Sequence, residues 1–578
     1  MRRHESEKPR AHSTAGTRAR VAIALLTPAQ RLRLALLTTA RILVGLFDLA
    51  LAAAMYLLFL LLQSQVSAHR NPWLPNSILA VAAAAGLLVV VRVLVDIYSA
   101  HAVFRQIQNL ATDFMIRLTR GYCEMQWTCF TELNRSELTN ITVHTTREAA
   151  DFYHRCVEMI SGAVIVIAMA VAFVYQSPAA AACFAAALGT VYCIHRLIVR
   201  KRVYQAASMR EKSLGQLQRD LSGLFSSGKE TRTYGNQDFF YDRICRDAGK
   251  FAVGSRVAVF LPQAARIIAD QGTVLLFLGL IVAVQLQRGD THQLLSLLAF
   301  YFVLSRRLLP LVSQLSLIAG QMESSFENVR IVDVELERCR LHRALPHPAG
   351  KPAPGLALQL ERVTLVFSGG PLILDNFNLL LREGESAIIC GTSGVGKTSL
   401  LNTISGVLPP ASGSVRVDRA DLAYVPQEIA LLDDTIRNNL LFGLARADDG
   451  KLMKALAVAR LDEFVRALPR GLDSGVGDNG ALFSGGERQR FGVARAALRG
   501  SKLLLLDEAT SALDEENERQ ILNNLAATGA AILLVTHRRH MHRWAHHVYR
   551  LERGRLLEER RSAAPAIDEF VARTLEHA

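Results

Sequence analysis

Residues 391–399 combine small residues with one lysine and four hydroxyl side chains, two before the lysine and two after it, in the order Gly-Thr-Ser-Gly-Val-Gly-Lys-Thr-Ser. An apolar strand pattern, Ala387–Cys390, precedes them and a helical stretch follows. Glycines let successive backbone N–H groups converge on a phosphate, while Lys397 adds positive charge and Thr398 a hydroxyl suited to Mg²⁺. A chance glycine-rich turn is the alternative, but the strand–loop–helix setting favours a phosphate-binding loop. Its expected ligand-binding residues are Gly391, Thr392, Ser393, Gly394, Val395, Gly396, Lys397, Thr398 and Ser399.

A second candidate is a pair of carboxylates, Asp507 and Glu508, at the end of the apolar run Leu503–Leu506. A buried strand of this kind delivers Asp507 to a magnesium ion and leaves Glu508 to orient and deprotonate a water molecule. Taken alone, the run fits a solvated strand end equally well. Together with the phosphate-binding loop it predicts hydrolysis of a nucleoside triphosphate.

The segment Ser484-Gly-Gly-Glu487 precedes a predicted helix, Arg488–Leu498. Ser484 can cap that helix while Glu487 reaches back to the backbone of the cap, as in a capping box. A capped helix without a ligand is one interpretation. The other is that Gly485 and Gly486 leave backbone N–H groups and the helix dipole open to a phosphate.

Long apolar stretches in the first half of the chain indicate a membrane protein. The 578-residue chain is 50% hydrophobic and 20% charged, and its mean hydropathy is +0.20. Because about 18–20 apolar residues span a bilayer, a wholly soluble, fibrous or disordered protein is excluded. We predict six membrane helices: Ile42–Leu62, Ser77–Tyr98, two within Met159–Ile194 that are joined at Tyr175–Pro178, Val257–Gln285, and Leu294–Ile318.

The distribution of basic residues predicts the orientation. Residues 196–256 contain 13 Lys and Arg, whereas the short loops of the opposite side contain two, Arg70 and Arg288. Since basic loops stay in the cytoplasm, both termini are expected there, at the cytoplasmic (inner) membrane of a bacterium. The same bias accounts for the net charge of +14, so no nucleic acid partner is expected.

The predicted fold class is a membrane all-α domain of six helices followed by an α/β phosphate-loop ATPase domain. Helices are expected to extend into the cytoplasm and to turn near Gln126–Arg135 and Lys212–Arg232. From Leu356 onward, strand and helix patterns alternate, which is typical of a parallel sheet covered by helices. The expected boundaries are a basic tail at residues 1–33, the membrane domain at 34–337, a linker at 338–355, the nucleotide-binding domain at 356–562 and a tail at 563–578.

The chain resembles the ATP-binding cassette (ABC) transporters, and specifically the exporters that fuse six spans ahead of one ATPase domain. The resemblance runs from about residue 35 to 560, and its motifs occur in the family's order. Phe483–Glu487 is similar to the signature, usually LSGGQ, with Phe for Leu and Glu for Gln. Gln427 matches the Q-loop, Ser511–Asp514 the D-loop and His537 the switch histidine. One departure is the short segment between Lys397 and Gln427, in which residues 412–421 replace a longer section.

This resemblance implies ATP and Mg²⁺ as ligands. Beyond the phosphate-binding loop, the residues expected to bind the nucleotide are Phe367, Ser484, Gly485, Gly486 and Asp514, with Phe367 against the adenine where tyrosine is more usual. The expected metal ligands are Thr398, Gln427 and Asp507. Glu508 is the expected catalytic base, and His537 and Gln427 are expected to sense the terminal phosphate.

In this family each ATP lies between the phosphate-binding loop of one cassette and the signature of another. One of each per chain therefore implies a dimer with two composite sites. A second copy of this chain is the expected partner, and a heterodimer with another half-transporter is the alternative.

No motif identifies the cargo. The spans begin near residue 42, which leaves no room for an N-terminal peptidase, and compact exporters of this build are similar to exporters of microcins and lasso peptides. The expected function is therefore ATP-driven export of a matured small peptide by alternating access within a lipid membrane. The alternatives are multidrug or lipid export and an ATP-gated channel or regulator; import is less favoured, because the usual importers carry spans and cassettes on separate chains.

Charged residues inside the spans are candidate cargo anchors because charge is costly in lipid. Asp48, Arg306 and Arg307 are the candidates. Arg92 and Asp96 lie four residues apart and could simply pair on one helix face. The histidines His540, His542, His546 and His547 are expected to decorate an exposed helix and not to bind a metal.

Overall fold

The computed structural model describes residues 15–64, 78–176, 200–286, 291–344, 350–366, 372–477 and 480–561. The chain divides into two units. The first comprises Met1–Glu124 and Leu133–Leu341, and the second comprises Met125–Glu132 and His342–Ala578. The segment Met125–Glu132 belongs to the second unit although it comes from the first half of the sequence. A main-chain hydrogen bond holds it there, since the Gln126 N–H donates to the His342 carbonyl at 2.8 Å.

The described part of the first unit is built from helices. In lipid the backbone polar groups must bond within the chain, and a helix achieves this inside a single segment. Within the described residues, three helical stretches are long and apolar enough to cross a membrane, namely Pro28–Met55, Leu79–Cys123 and Arg135–Ala172. The helices are α1 (Ala15–Leu25), α2 (Pro28–Ser64), α3 (Ile78–Cys123), α5 (Arg135–Asn140), α6 (Thr146–Gln176), α7 (Arg200–Ser226), α8 (Gly228–Thr233), α9 (Gln237–Leu286) and α10 (Thr291–Leu341), with α4 (Trp127–Thr131) in the second unit.

Five of the six predicted spans coincide with described helices, α2, α3, α6, α9 and α10. The predicted fourth span lies outside the described residues. The helices run well beyond the predicted apolar limits, because polar residues continue the helical pattern. A π-helical turn, Ile141–Thr145, joins α5 to α6.

The first predicted turn lies where the sequence places it, at α4. The second lies at the C-terminal end of the predicted range Lys212–Arg232, because α7 continues through most of that range and the chain turns at α8. Residues 212–226 contain no proline, so nothing in their backbone chemistry ends the helix earlier.

The N-terminal segment also differs from the expected tail at residues 1–33. Ala15–Leu25 is a helix, and Ala22, Leu25 and Leu26 are buried in the first unit. The Tyr153 hydroxyl donates to the Ala22 carbonyl at 2.7 Å. The apolar face of α1 therefore packs onto the other helices. At the other end, α10 extends to Leu341, past the expected start of the linker at residue 338.

The second unit contains two sheets. Strands β1 (Leu356–Val366), β2 (Leu372–Arg382) and β4 (Ser412–Arg416) form an antiparallel sheet in the order β2-β1-β4. A six-stranded sheet has the order β5-β6-β7-β3-β8-β9 and is parallel except for the edge strand β9. Its strands are β3 (Ser386–Cys390), β5 (Leu422–Val425), β6 (Leu503–Asp507), β7 (Ala531–Val535), β8 (His547–Glu552) and β9 (Arg555–Arg561).

Helices cover this sheet and complete the core. Every residue of β3, β6 and β7 is buried, as expected for central parallel strands that are covered on both faces. Two apolar clusters fill the space on its two sides. The helices are α11 (Lys397–Ile404), α12 (Ile436–Leu441), α13 (Asp449–Val458), α14 (Asp462–Ala467), α15 (Gly485–Arg499) and α16 (Glu515–Ala526).

Two ion pairs join α2 to α3, one inside the predicted spans and one at the edge of the first predicted span. Arg92 Nε lies 2.6 Å from Asp48 Oδ1, and Arg41 Nη1 lies 2.6 Å from Asp96 Oδ1. The i,i+4 pairing of Arg92 with Asp96 that the sequence allows is therefore replaced by pairing across two helices. The side chains of Arg92 and Asp48 are only 14% and 10% exposed, so each charge depends on the other.

We predict that removing one member of the Asp48–Arg92 pair is more harmful than removing both. Arg92→Gln leaves a carboxylate without its cation and should lower the midpoint of thermal unfolding in detergent, since breaking a buried pair costs about 3–5 kcal/mol. The double variant Asp48→Asn with Arg92→Gln should recover most of the loss. Arg41→Gln is the control at the more exposed pair and should have a smaller effect. Strictly additive losses would contradict this prediction.

Candidate nucleotide-binding site

The predicted site residues meet at one edge of the six-stranded sheet. The phosphate-binding loop follows β3, Gln427 follows β5, Asp507 ends β6 and His537 follows β7. These four strands run parallel, so their carboxyl ends lie at the same edge, where ligands of open α/β sheets bind.

The phosphate-binding loop has a backbone that requires glycine. Gly391 has φ +155°, and a Cβ there would lie 2.7 Å from the Leu551 carbonyl. Gly396 has φ +107°, and its Cβ would lie 2.3 Å from Ile373 Cγ2. The Lys397 ammonium folds over the loop and donates to the carbonyls of Gly391 at 2.9 Å and Thr392 at 3.0 Å. Its charge is thus held at the loop by two weak neutral acceptors, which phosphate oxygens can replace.

Asp507 lies beside the phosphate-binding loop, and two hydroxyl groups donate hydrogen bonds to its carboxylate. Burial raises the pKa of its carboxyl group, and hydrogen bonds from the Thr398 and Tyr424 hydroxyls oppose that rise. Tyr424 Oη lies 3.3 Å from Asp507 Oδ2. A carboxylate and a hydroxyl in contact are ligands that Mg²⁺ prefers. Thr398 and Asp507 therefore fit a magnesium ion, and a bound cation would offset the cost of burying this charge.

Two of the predicted residues, Gln427 and His537, converge on the Glu508 carboxylate. Gln427 Nε2 donates to Glu508 Oε2 at 3.2 Å, and His537 Nδ1 lies 3.6 Å from Glu508 Oε1. Glu508 itself has φ +48°, a left-handed backbone that costs on the order of 1–3 kcal/mol for a residue other than glycine. The Glu508 N–H donates to the Val535 carbonyl at 3.0 Å. The sheet thus holds this strained residue with its carboxylate between two polar side chains.

The Ser484 segment forms the predicted capping box. The Glu487 N–H donates to Ser484 Oγ at 3.3 Å, and the Ser484 N–H donates to Glu487 Oε2 at 2.8 Å. The helix begins at Gly485 and not at Arg488, because the box fixes the first turn at the cap itself. Within the described residues, these hydrogen bonds do not reach the phosphate-binding loop.

Three further expectations have different outcomes. Phe367 lies outside the described residues. Asp514 caps α16, with its carboxylate accepting from the Asn517 N–H at 2.8 Å. The histidines do not lie on one exposed helix: His540 and His542 lie in a 3₁₀ turn, while His547 begins β8 and is buried. Among the described residues, no group of three or more His, Cys, Asp and Glu side chains is arranged so that it could hold a metal ion.

Sequence analysis missed two residues at this edge. Tyr424 lies in β5 directly before Val425 and contacts Asp507, and Gln489 on α15 lies behind Glu508. The Gln489 amide donates to Ser511 Oγ at 2.9 Å and to the Glu508 carbonyl at 3.4 Å. The available signal for Gln489 was its place five residues after Ser484, at the start of a predicted helix. That spacing alone does not tell which neighbouring segment the Gln489 side chain contacts.

With this geometry in place, comparison with known proteins shows the fold of the chain and the family of its second domain. Residues 374–511 match the family of the ABC transporter domain. The chain has the fold of an ABC exporter half-transporter, with a helical membrane domain followed by a C-terminal ABC transporter domain, and ATP is the nucleotide of that domain. A solved structure of a bacterial Atm1-family ABC exporter with ATP bound superposes with a TM-score of 0.69 and 20% identity, covering 94% of this chain and 98% of the other.

Among curated proteins, the chain is similar to an ATP-dependent lipid A-core flippase of Bordetella avium. The two are 32% identical over 333 residues, which is 55% of each chain. It is also similar to the mycobactin import ATP-binding/permease protein IrtB of Mycolicibacterium thermoresistibile, with 39% identity over 243 residues, 39% of this chain and 41% of the relative. The chain thus aligns with about half the length of these relatives.

We predict that Tyr424→Phe raises the Mg²⁺ concentration needed for half-maximal ATPase activity. Without the hydroxyl, the Asp507 carboxyl group loses a hydrogen bond to its charged form, so its pKa rises further and the carboxylate binds a cation less well. Loss of one such hydrogen bond corresponds to a shift of roughly fivefold, or about 1 kcal/mol. A magnesium titration of ATPase activity measures it, with Tyr234→Phe at an exposed position as the control. An unchanged titration curve would exclude this role for Tyr424.

Proposed function

We propose that the chain is one half of an ATP-driven transporter and that two identical chains form the working unit in the cytoplasmic membrane of a bacterium. The observation that carries the ATPase assignment is the convergence of Gln427 and His537 on Glu508, beside Asp507. A carboxylate held between two polar side chains can accept a proton from water while its own orientation stays fixed. A solvated strand end would have no reason to hold a strained backbone there.

The proposed chemistry assigns one task to each side chain. The Lys397 ammonium exchanges its carbonyl acceptors for phosphate oxygens of ATP. Thr398, Asp507 and Gln427 are the residues that would hold Mg²⁺, which supplies positive charge to those oxygens. Glu508 takes the proton of the attacking water as the bond between the terminal phosphorus and the leaving oxygen breaks, giving ADP and phosphate.

The dimer is proposed because the hydrogen bonds of the Ser484 segment close its own capping box and do not reach the phosphate-binding loop of the same chain. Gly485 and Gly486 stand at the N-terminus of the 15-residue helix α15, where the helix dipole favours an anion. In the proposed dimer this end faces the ATP of the second copy, so that each site needs both chains. Closure of the two cassettes would reach the spans through the cytoplasmic turns α4 and α8.

For the cargo, we propose an amphiphilic lipid or a lipid-like molecule. Relatives named as lipid A-core flippases support this alternative better than the matured peptide expected from the sequence. The ion pairs point the same way for one anchor: Asp48 is engaged by Arg92, so it is poorly suited to hold a charged cargo group. The fused architecture does not decide direction, because one relative is named an import protein with ATP-binding and permease functions together.

We predict that Glu508→Gln binds ATP but hydrolyses it at least ~100-fold more slowly, since it removes the proton acceptor and keeps the shape. The variant should accumulate as an ATP-dependent dimer in native mass measurements. Glu383→Gln, at an exposed carboxylate of the same domain that pairs with Lys502, is the matched control and should retain activity. Wild-type turnover in Glu508→Gln would remove Glu508 from this role, and a stable monomer that hydrolyses ATP would contradict the dimer.

We predict ATP-dependent movement of a fluorescent phospholipid between leaflets of proteoliposomes, and stimulation of the ATPase by amphiphilic lipids. Glu508→Gln should stop both effects. Stimulation by a matured small peptide and not by lipid would favour the peptide cargo instead. Passage of ions through Glu508→Gln with ATP bound would indicate a gated channel.

A further inference from the structure

Glu518 is a buried carboxylate that the proposed reaction does not use. It lies on α16 with none of its surface exposed, and it accepts hydrogen bonds from three side chains of other segments. The donors are Thr510 Oγ1 at 2.6 Å, Arg538 Nη1 at 2.8 Å and His540 Nε2 at 3.0 Å. Because an unpaired buried charge is strongly destabilising, this carboxylate fixes the segments that supply its donors.

Arg538 extends the contact to the D-loop. Besides Glu518, its guanidinium donates to the carbonyls of Leu513 at 2.8 Å and Ser511 at 2.6 Å. Arg538 directly follows His537, which faces Glu508. The planar guanidinium thus binds two backbone carbonyls and one carboxylate in a fixed geometry that a lysine cannot reproduce.

The other side of the D-loop is held by the signature helix. Gln489 Oε1 accepts from the Ala512 N–H at 2.8 Å, and its amide donates to Ser511 Oγ. Asp514 closes the D-loop as the cap of α16, on which Glu518 lies one turn further along. Residues 511–514 therefore cannot shift without moving either Gln489 or Arg538.

We propose that Arg538, Glu518 and His540 are positioning residues that join the D-loop to the switch loop, so that a displacement of His537 at one site is passed to Asp514. This inference rests on the proposed function, since the signature helix that holds the D-loop faces the ATP of the second copy only in the proposed dimer. Its functional result is coupling between the two ATP sites. Hydrolysis at one site then depends on nucleotide at the other.

The carboxylates of this unit keep their hydrogen-bonding partners only while its members stay together. His540 Nδ1 faces Glu515 at 3.5 Å while its Nε2 bonds to Glu518, and Arg538 is the cation on the same loop. Two carboxylates of α16 thus meet two donors of the switch loop. Removing one donor weakens the link without touching the Glu508 carboxylate.

The test compares Arg538→Lys with Arg539→Lys in the full-length chain reconstituted in lipid. The substitution is the same and the two positions are adjacent, but Arg539 is exposed. Arg538→Lys should lower kcat about tenfold, as expected when a multidentate guanidinium contact is lost, and bring the Hill coefficient for ATP close to one. Affinity for a fluorescent ATP analogue should stay within about twofold, as for a contact outside the nucleotide contacts. Arg539→Lys should match wild type.

A second pair of variants separates positioning from folding. His540→Ala removes a donor to Glu518 and should lower the Hill coefficient, whereas His540→Gln keeps an amide donor and should restore it. Equal behaviour of Arg538→Lys and Arg539→Lys would overturn the proposal, as would loss of nucleotide affinity in parallel with kcat. ATPase activity of wild type and Arg539→Lys tests the proposed function itself, so its failure is distinguishable from failure of the coupling.

Discussion

Parallel pairing of β3, β7, β6 and β5 is the constraint on which the site depends. The register places Asp507 opposite Val535 and Ile389 opposite the same residue, so the ends of the central strands lie level. Every loop that carries chemistry begins within a residue or two of that level. A shift of one pair would separate Glu508 from His537, although each loop kept its sequence. The register of the sheet therefore determines the distances between the site residues, and the sequence of each motif alone does not.

Around this edge, the protein keeps its charges in positions that cost stability. Asp507 is buried with a raised pKa, Glu508 has a left-handed backbone, and Glu518 has no exposed surface. Each is held by hydrogen bonds from neighbouring segments, because a low-dielectric surrounding strengthens satisfied polar contacts and penalises missing ones. The polar network beneath the loops supports the site in the way that the apolar clusters support the sheet.

The sequence predicted the elements with local signals well. Strands β3 and β6 and the capping box at Ser484 are confirmed, since apolar runs and caps act within a few residues. It did not predict strands β2 or β9, whose alternating patterns are weak, or the helix Ala15–Leu25 in the expected tail. The contacts of Arg538 with Ser511 and of Arg92 with Asp48 join residues distant in sequence, so no local pattern could specify them. The domain limits and the roles of the site residues stay predictions.

The two charge pairs between α2 and α3 also bear on how the chain enters the membrane during synthesis. A charged side chain at the centre of an isolated helix adds about 2.5–3.5 kcal/mol to the free energy of insertion, and α2 carries Asp48 inside its predicted span and Arg41 directly before it. Their partners, Asp96 and Arg92, arrive only with the following helix. We therefore expect α2 and α3 to enter the lipid more favourably together than α2 does alone, because the two ion pairs between them neutralise all four charges.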